Sequence, residues 1–391
     1  MNMMRYSPIT ERLANSGGAK WALHQHCRKR KAAGADIIEL TIGEPDQAPD
    51  PALIEACHKS MLDGRIGYSP GRGEPVLLAA LAERYSRRRP DIDAGNILCF
   101  PGTQTALFAT LMGLTGPGDG VLVGDPYYAT YEGIVAASGA HLQAVPLRAD
   151  NGFKMRADDV EAAITPQSRV LLLNTPHNPT GAVIEAAELA RIGAVCETHD
   201  LWIVCDEVYE EMVFDGDFAS PLDNAALAHR VVAVSSISKS HAAPGFRSGW
   251  AVGPAEFCDR LLPLSETMLF GNQPFIADMT ALALGAQLPT ARMMRQAFAR
   301  RARIVCKLLA GVNGLKPFMP QAGMFCVVDV GATGLDGEAF AWRLLESGVA
   351  VMPGSSFGDN ARSFIRISLT VPDSALEQAC GRIADFVKDL S

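Results

Sequence analysis

The chain has 391 residues, of which 48% are hydrophobic and 20% charged, and its formal net charge is −8. This length and composition predict a globular protein of about two domains with a large core. The negative charge argues against a nucleic-acid partner. No apolar run approaches the ~20 residues that a membrane span requires, so we expect no membrane partner either.

Cysteine and histidine usage excludes further classes of protein. None of the nine cysteines forms a Cys-x-x-Cys pair, and several, such as Cys205 and Cys326, lie inside apolar runs. This pattern is typical of buried, reduced thiols in a cytoplasmic protein rather than of a disulfide framework. The eight histidines show no ligand spacing, so we expect no metal site. The N-terminus lacks the apolar segment of a signal peptide.

The N-terminal part of the chain predicts an arm, a helix and a short strand at residues 37–42 that ends in Gly43. Helices are expected at 51–62 and 74–88. From residue 96 strands and helices alternate, and the predicted strands cover residues 97–100, 120–123, 141–146, 170–173, 202–205 and 231–234. Most of these strands are apolar along their whole length and are joined through helices, which implies a mostly parallel sheet covered on both faces.

The pattern changes after residue 285. A long helical region reaches residue 309, and residues 324–330 and 364–369 then alternate as in a smaller α+β layer. We therefore predict an α/β fold with a large domain and a smaller α+β domain. The expected segments are residues 1–45 (arm and part of the small domain), 46–284 (large domain) and 285–391 (C-terminal small domain).

A lysine follows the predicted strand at 231–234. The strand runs into a serine cluster with Ser236 and Ser238, and Lys239 comes next. A lysine at a buried strand end suits a nucleophilic amine, whose pKa burial and a cation such as Arg247 would lower. The hydroxyls and the guanidinium also suit a phosphate. Together they suggest pyridoxal phosphate (PLP), and a surface lysine in a loop is the alternative.

A second candidate phosphate contact lies where the strand at 97–100 meets a helix. Gly102, Thr103 and Gln104 open that helix, and a helix N-terminus offers free N–H groups and a positive dipole end. A plain strand–helix turn with a cap is the alternative.

Polar side chains also follow the two neighbouring strands. Asn178, after the strand at 170–173, could donate a hydrogen bond to a phenolate oxygen, although an Asn-Pro turn is the alternative. Asp206 directly follows a buried strand and needs a cationic partner such as a protonated pyridine nitrogen. Tyr209 could reach the phenolate oxygen. A helix cap and an ordinary half-buried aromatic are the alternatives for these two residues.

An arginine lies inside the last alternating strand. Arg366 is costly to bury there unless it is paired, and the α-carboxylate of a substrate would be a bidentate partner. A structural ion pair is the alternative.

Four motifs in one order carry a family resemblance. They are NPTG from Asn178, DEVY from Asp206, SxSK with GxRxGW around Lys239, and RIS from Arg366. In this order they resemble the class I, fold-type I PLP-dependent aminotransferases over essentially the whole chain. Within that family the stretches SKSHAAPGFR and TMLFGNQPF are most similar to bacterial aspartate and arginine–pyruvate enzymes.

The resemblance implies a role for each motif residue. Lys239, Asp206 and Tyr209 would be catalytic, with Lys239 forming the Schiff base to PLP and moving the proton. The implied cofactor-binding residues are Tyr68, Gly102, Thr103, Gln104, Tyr128, Asn178, Asp206, Tyr209, Ser236, Ser238, Lys239 and Arg247. Substrate would contact Gly43, Asn178 and Arg366. Tyr128 would stack on the ring, and Tyr68 would reach the phosphate in the neighbouring subunit, which implies a homodimer with shared active sites.

The expected reaction moves an amino group from an L-amino acid to a 2-oxo acid, pyruvate or 2-oxoglutarate, with ping-pong kinetics. A C–S β-lyase or another non-transaminating member of the fold is the alternative, because the core motifs serve both. Animal-type aspartate enzymes place a second arginine near 270–275, and this chain has no Arg or Lys between Ser265 and Asp278. Glu11 and Glu44 are acids that could meet a basic side chain.

Overall fold

The computed structural model describes residues 5–14, 19–269 and 271–390. Two parts of the predicted N-terminal arm, residues 1–4 and 15–18, lie outside the described residues. The strands of the described part are β1 Ile38–Leu40, β2 Ile97–Phe100, β3 Gly120–Asp125, β4 His141–Pro146, β5 Ser168–Asn174, β6 Trp202–Asp206, β7 Val231–Ser236, β8 Gly249–Val252, β9 Lys316–Phe318, β10 Phe325–Asp329, β11 Val349–Pro353 and β12 Phe364–Ser368.

Helices account for most of the remaining regular structure. They are α1 Pro8–Ala14, α2 Ala22–Ala32, α3 Pro51–Leu62, α4 Pro75–Ser86, α5 Thr103–Leu114, α6 Tyr131–Ser138, α7 Ala157–Ala163, α8 Ala186–Thr198, α9 Ile237–Ser240, α10 Ala255–Met268, α11 Pro274–Gly285, α12 Thr290–Leu309, α13 Gly337–Glu346 and α14 Asp373–Leu390. None of these described helices is both long enough and apolar enough to cross a membrane.

A seven-stranded sheet forms the larger layer, with the strand order β2-β8-β7-β6-β5-β3-β4. The pairs from β7 to β4 are all parallel, and only β8 runs antiparallel to its two neighbours. Apolar side chains pack on both faces of this sheet, in two separate clusters. The predicted α/β class with a mostly parallel central sheet is therefore confirmed.

A second, five-stranded sheet has the order β1-β11-β12-β10-β9. Its strand β1 comes from the N-terminal part of the chain and pairs in parallel with β11, while the other pairs are antiparallel. A third apolar cluster, which includes one face of α12 and α14, packs against this sheet. The segment boundaries expected at residues 45/46 and 284/285 stay a prediction.

Several predicted elements differ from the structure at their ends. The strand predicted at 231–234 continues to Ser236, because Ser235 and Ser236 pair with Trp250 and Gly249 of β8. The helix predicted at 74–88 ends at Ser86. Lys239 lies in the one-turn helix α9, directly after β7, rather than in a loop.

The strand register brings the polar strand ends together. Asn174 at the end of β5 lies opposite Asp206 at the end of β6, and Asp206 lies opposite Val234 of β7. From the second sheet, Arg366 of β12 donates hydrogen bonds to Asn178 Oδ1 (3.0 Å) and to the carbonyl oxygen of Thr41 (2.7 Å). The candidate site therefore lies between the two sheets, at the carboxyl edge of the larger one, where ligands of open α/β sheets bind.

Candidate active site

A cavity of about 260 Å³ lies at this edge. Most of the residues predicted for the site line it together, although they come from seven separate stretches of the chain. Those residues are Gly43, Thr103, Gln104, Tyr128, Asn178, Asp206, Tyr209, Ser236, Ser238, Lys239, Arg247 and Arg366.

Two predicted residues do not line this cavity. Gly102 lies immediately beside it, where its φ of 89° precedes the first turn of α5. A Cβ at this position would collide with the guanidinium of Arg247, so glycine permits the arginine to approach the helix N-terminus. Tyr68 lies outside the cavity, and 91% of its surface is exposed.

The Lys239 amine points into the cavity from α9. Its Nζ donates a 2.6 Å hydrogen bond to the carbonyl oxygen of Gly43. Burial lowers the pKa of Lys239 to about 8, while the Glu44 carboxylate opposes this shift and Arg366 and Arg247 reinforce it. A substantial fraction of the amine is therefore neutral near physiological pH and can act as a nucleophile or a base.

Asp206 is a buried carboxylate that lines the same cavity. Its Oδ2 accepts a 2.7 Å hydrogen bond from the hydroxyl of Tyr131, and its Oδ1 accepts one from the backbone N–H of Val208 (3.2 Å). Burial raises the pKa of Asp206 to about 6, and these hydrogen bonds act in the opposite direction. A cation placed beside this carboxylate would lower its pKa again.

Tyr131 and Asn174 belong to the site but were not predicted. Asn174 Nδ2 donates to the backbone oxygen of Asp206 (3.0 Å), and Asn174 Oδ1 accepts from the backbone N–H of Asn178 (2.7 Å). Asn174 therefore fixes two predicted site residues relative to each other. The sequence could have indicated Asn174 by its position four residues before Asn178, and Tyr131 by its position three residues after Tyr128.

The side chains of Asn178 and Tyr209 lie close together in the wall of the cavity. Asn178 Nδ2 donates to the Tyr209 hydroxyl at 3.5 Å, and both side chains are buried. The ring of Tyr128 contacts the ring of Tyr131 edge-on, with centroids 5.5 Å apart. The amide and the two phenols thus provide donors and a flat surface for an aromatic ligand with a polar edge.

Arg366 is almost fully buried, and the rings of Phe325 and Phe357 flank it, with centroids 3.9 and 4.5 Å from the guanidinium carbon. Burial lowers its pKa to about 10. Its hydrogen-bond partners are an amide and a carbonyl oxygen, and its Nε has none among the described residues. None of the described contacts of Arg366 is therefore the structural ion pair that the sequence analysis considered as the alternative. The side chain presents an uncompensated cation to the cavity.

Donors for an anion collect where α5 begins. Thr103 and Gln104 begin α5, and Arg247 is held by the carbonyl oxygens of Pro244 (2.9 Å) and Pro101 (3.3 Å). The hydroxyl of Thr103 is buried without a partner among the described residues. A helix N-terminus, hydroxyls and a guanidinium are together well suited to a phosphate.

These groups fit the predicted cofactor. An amine with a lowered pKa, a buried carboxylate and a set of anion donors line one cavity, and these are the groups that a phosphorylated pyridine aldehyde requires. The unpartnered Thr103 hydroxyl among the anion donors is the structural observation that supports this fit.

Several other lining residues were not predicted. They are Trp21, Ile42, Leu107, Val208, Pro244 and Phe325. No local sequence pattern marks Trp21 or Phe325 as cavity residues, because each reaches the site only through the packing of the second sheet and its neighbours.

Comparison with known proteins gives consistent matches. The family model described as aminotransferase class I and II matches residues 35–383. The chain is 42% identical to the arginine–pyruvate transaminase AruH of Pseudomonas aeruginosa, covering 97% of this chain and 98% of that protein. It is 31% identical to an aspartate aminotransferase of Geobacillus stearothermophilus, covering 97% and 99%. A solved structure of Thermus thermophilus aspartate aminotransferase superposes with a TM-score of 0.93 at 30% identity, covering 98% of this chain and all of that one.

Proposed function

Because the chain belongs to the class I and II aminotransferases, it is a PLP-dependent enzyme of fold-type I that transfers amino groups to 2-oxo acids, and we propose how its residues do so and on which substrates. The donor is an L-amino acid with a basic side chain and the acceptor is pyruvate, with 2-oxoglutarate as the second acceptor to test. The 42% identity to an arginine–pyruvate transaminase over 97% of the chain supports this choice.

The chemistry is carried by one observation, that Lys239, Asp206 and Arg366 line a single cavity. Bound PLP supplies an aldehyde that takes up the amino group and a ring that accepts the electrons of the donor's Cα–H bond. Lys239 holds the cofactor before substrate arrives. Its Nζ then removes the donor's α-proton and, in the second half of the reaction, delivers a proton to the α-carbon of the new amino acid.

The other residues orient the reactants. Arg366 binds the α-carboxylate of donor and acceptor alike, with Asn178 fixing the guanidinium by the 3.0 Å hydrogen bond to its Oδ1. Asp206 keeps the ring nitrogen protonated, and Tyr209 with Asn178 donates to the ring hydroxyl oxygen. Gly102, Thr103, Gln104, Ser236, Ser238 and Arg247 bind the phosphate, and Tyr128 stacks on the ring. Gly43 lies on the loop that covers the substrate.

We also propose a homodimer that shares its active sites. Three apolar side chains at the end of α3 and in the segment that follows it are largely exposed: Leu62 by 74%, Ile66 by 69% and Tyr68 by 91%. Exposed apolar groups of this kind mark protein interfaces. The hydroxyl of Tyr68 would reach the phosphate in the partner subunit's site. The nine free thiols support a reducing compartment, the cytoplasm.

A single-turnover experiment tests the proposed function. The PLP-loaded enzyme is mixed with L-arginine in the absence of any acceptor, and we expect about one 2-oxo acid per active site, as a ping-pong half-reaction requires. Added pyruvate should restore turnover. A C–S β-lyase would instead release ammonia and pyruvate continuously from a cysteine conjugate, whose sulfur at Cβ is the leaving group, with no acceptor present.

Lys239→Ala is the matching variant. It should lose turnover and the borohydride-stable link to PLP. Lys59→Ala, at an exposed lysine of α3, is the control and should keep both. A borohydride-stable link that survives in Lys239→Ala would contradict the assignment.

A further inference from the structure

The cavity contains an aromatic side chain that the transamination chemistry does not use. We propose that Trp21 is the residue on which the cationic side chain of the amino donor stacks, so that it reads the donor's identity. This inference rests on the proposed function above and adds to it the residue that selects the substrate.

The cations of the cavity leave no partner for an acidic donor. Among the described residues that line it, the cations are Lys239, Arg247 and Arg366. The first serves the chemistry, the second the phosphate and the third the α-carboxylate. Lys20, the neighbour of Trp21 in the chain, is already bonded to Glu132. A second carboxylate on the donor would be buried with none of this subunit's described lining cations available to pair with it, which is costly.

Trp21 lies within reach of a donor held at Arg366. It ends the short 3-10 turn before α2 and packs against Ala129, Met352 and Phe357. The ring of Phe357 is one of the two that flank the Arg366 guanidinium, at 4.5 Å. Since Trp21 and Arg366 both line the cavity, and Arg366 adjoins a ring of the cluster on which Trp21 packs, a side chain that leaves the α-carbon of a bound donor can reach the indole.

A second series of contacts fixes the indole relative to Arg366. The His24 ring contacts Trp21 edge-on, with centroids 6.1 Å apart. His24 Nδ1 and the Thr41 hydroxyl are joined by a 2.9 Å hydrogen bond, and the Thr41 carbonyl oxygen accepts from Arg366 Nη2 at 2.7 Å. The distance between the carboxylate-binding group and the indole is thus set by well-packed neighbours rather than by a loose side chain.

The chemistry of an indole selects a cation. Tryptophan has the strongest cation–π attraction of the aromatic residues, and a guanidinium can also stack flat on it. The Glu44 carboxylate lies close enough to Lys239 to oppose the lowering of that lysine's pKa, so it adds negative potential near the cavity. A planar cation on an apolar stem therefore suits this wall better than an acid or a small neutral side chain.

The test compares donors and variants at Trp21. Steady-state kinetics with pyruvate are measured for L-arginine, for L-citrulline, in which a neutral ureido group replaces the guanidinium, and for L-alanine, which has almost no side chain. We expect wild-type kcat/KM for arginine to exceed that for citrulline at least ten-fold. Trp21→Ala should raise the KM for arginine at least ten-fold and change the kinetics with alanine less than two-fold. Trp21→Phe, which keeps a smaller ring, should fall between.

The controls separate this inference from the proposed function. Trp342→Phe, at a tryptophan of α13 bonded to Glu338, should leave all three donors unchanged. An equal loss for alanine and arginine in Trp21→Ala, or wild-type citrulline kinetics equal to those of arginine, would overturn the role of Trp21. If the wild-type enzyme transaminates no amino acid at all, the proposed function itself fails.

Discussion

The Tyr131 hydroxyl donates a 2.7 Å hydrogen bond to Asp206 Oδ2, and both side chains are buried. This bond favours the ionised carboxylate against the burial that raises its pKa. The carboxylate proposed to face the ring nitrogen is therefore held by a residue from another part of the chain, at the start of α6.

Tyr131→Phe should weaken PLP binding. A hydrogen bond to a charged group contributes about 1.5–3 kcal/mol, so we expect the Kd of PLP to rise about ten-fold or more. Equilibrium titration of the cofactor-free protein measures this change. Tyr127→Phe, which alters a tyrosine outside the cavity lining, should not affect the Kd. An unchanged Kd in Tyr131→Phe would show that the hydroxyl does not support Asp206.

Asp206→Asn should stabilise the cofactor-free protein while it weakens PLP binding. Burial raises the pKa of Asp206 from 3.8 to about 6, so the folded state binds an additional proton between these values. The free energy of unfolding therefore falls as the pH rises from about 4 to 6, by about 3 kcal/mol in total. The variant carries no such charge. At pH 7 its cofactor-free form should unfold at higher urea concentration than the wild type.

Urea unfolding of wild type and Asp206→Asn is measured at a second pH and beside a control variant. At pH 4, where Asp206 is largely protonated, the difference between wild type and Asp206→Asn should nearly vanish. Asp63→Asn alters an exposed aspartate directly after α3, and its stability should equal that of the wild type at both pH values. A wild type that is more stable than Asp206→Asn at pH 7 without PLP would contradict the burial cost.

PLP uptake should depend on pH through Lys239. Burial and two neighbouring arginines lower the pKa of Lys239 to about 8, and only the neutral amine attacks the aldehyde. The rate at which cofactor-free protein forms the borohydride-stable link should rise from pH 6.5 and level off above about pH 8. An exposed lysine would continue to gain reactivity towards pH 10.4, its unperturbed pKa. A profile of that second kind would show that the amine is not buried as the structure has it.

Arg366→Lys should raise the KM for every donor and for every 2-oxo acid alike. Lysine keeps the charge but cannot form the bidentate pair with a carboxylate. We expect an increase on the order of 10- to 100-fold, as for the loss of a desolvated charged hydrogen bond. The change should be the same for alanine and arginine, because both carry the α-carboxylate. An effect confined to one donor would place Arg366 at the side chain instead.

Mixed dimers test the shared site. Tyr68→Ala and Lys239→Ala should each reduce activity when alone. In a hybrid dimer, one site combines the Lys239 of one subunit with the Tyr68 of the other, and activity should return to about half of that of the wild type. Hybrids no more active than the average of the two parent variants would show that Tyr68 acts within its own subunit or not at all.

The parts of this site that local sequence could predict lie at strand ends. Asp206 and Lys239 each follow an apolar run, and such a run with a polar end is a pattern within a few residues. Their common position then follows from the parallel arrangement of the strands. β8 was not predicted as a strand because its four residues begin with a glycine. It exists through pairing with β2 and β7, which no local pattern reveals.

Residues that meet only through tertiary packing could not be predicted. Tyr131 is 75 positions from Asp206 in the chain, and nothing near it indicates a carboxylate partner. Trp21 and Phe325 are apolar residues that would suit any core. Their place in the cavity depends on how the second sheet lies against the first, and this arrangement involves residues from both ends of the chain.

The position of β1 also bears on how the protein can be synthesised. This strand leaves the ribosome first among the twelve described strands, yet its pairing partner β11 is among the last. The carbonyl oxygens of residues 41 and 43 bind Arg366 and Lys239. During most of translation these residues have been synthesised but β11 and Arg366 have not. A nascent chain that stops before residue 349 has completed the larger sheet, but it has no assembled catalytic centre and leaves a strand edge open to other chains.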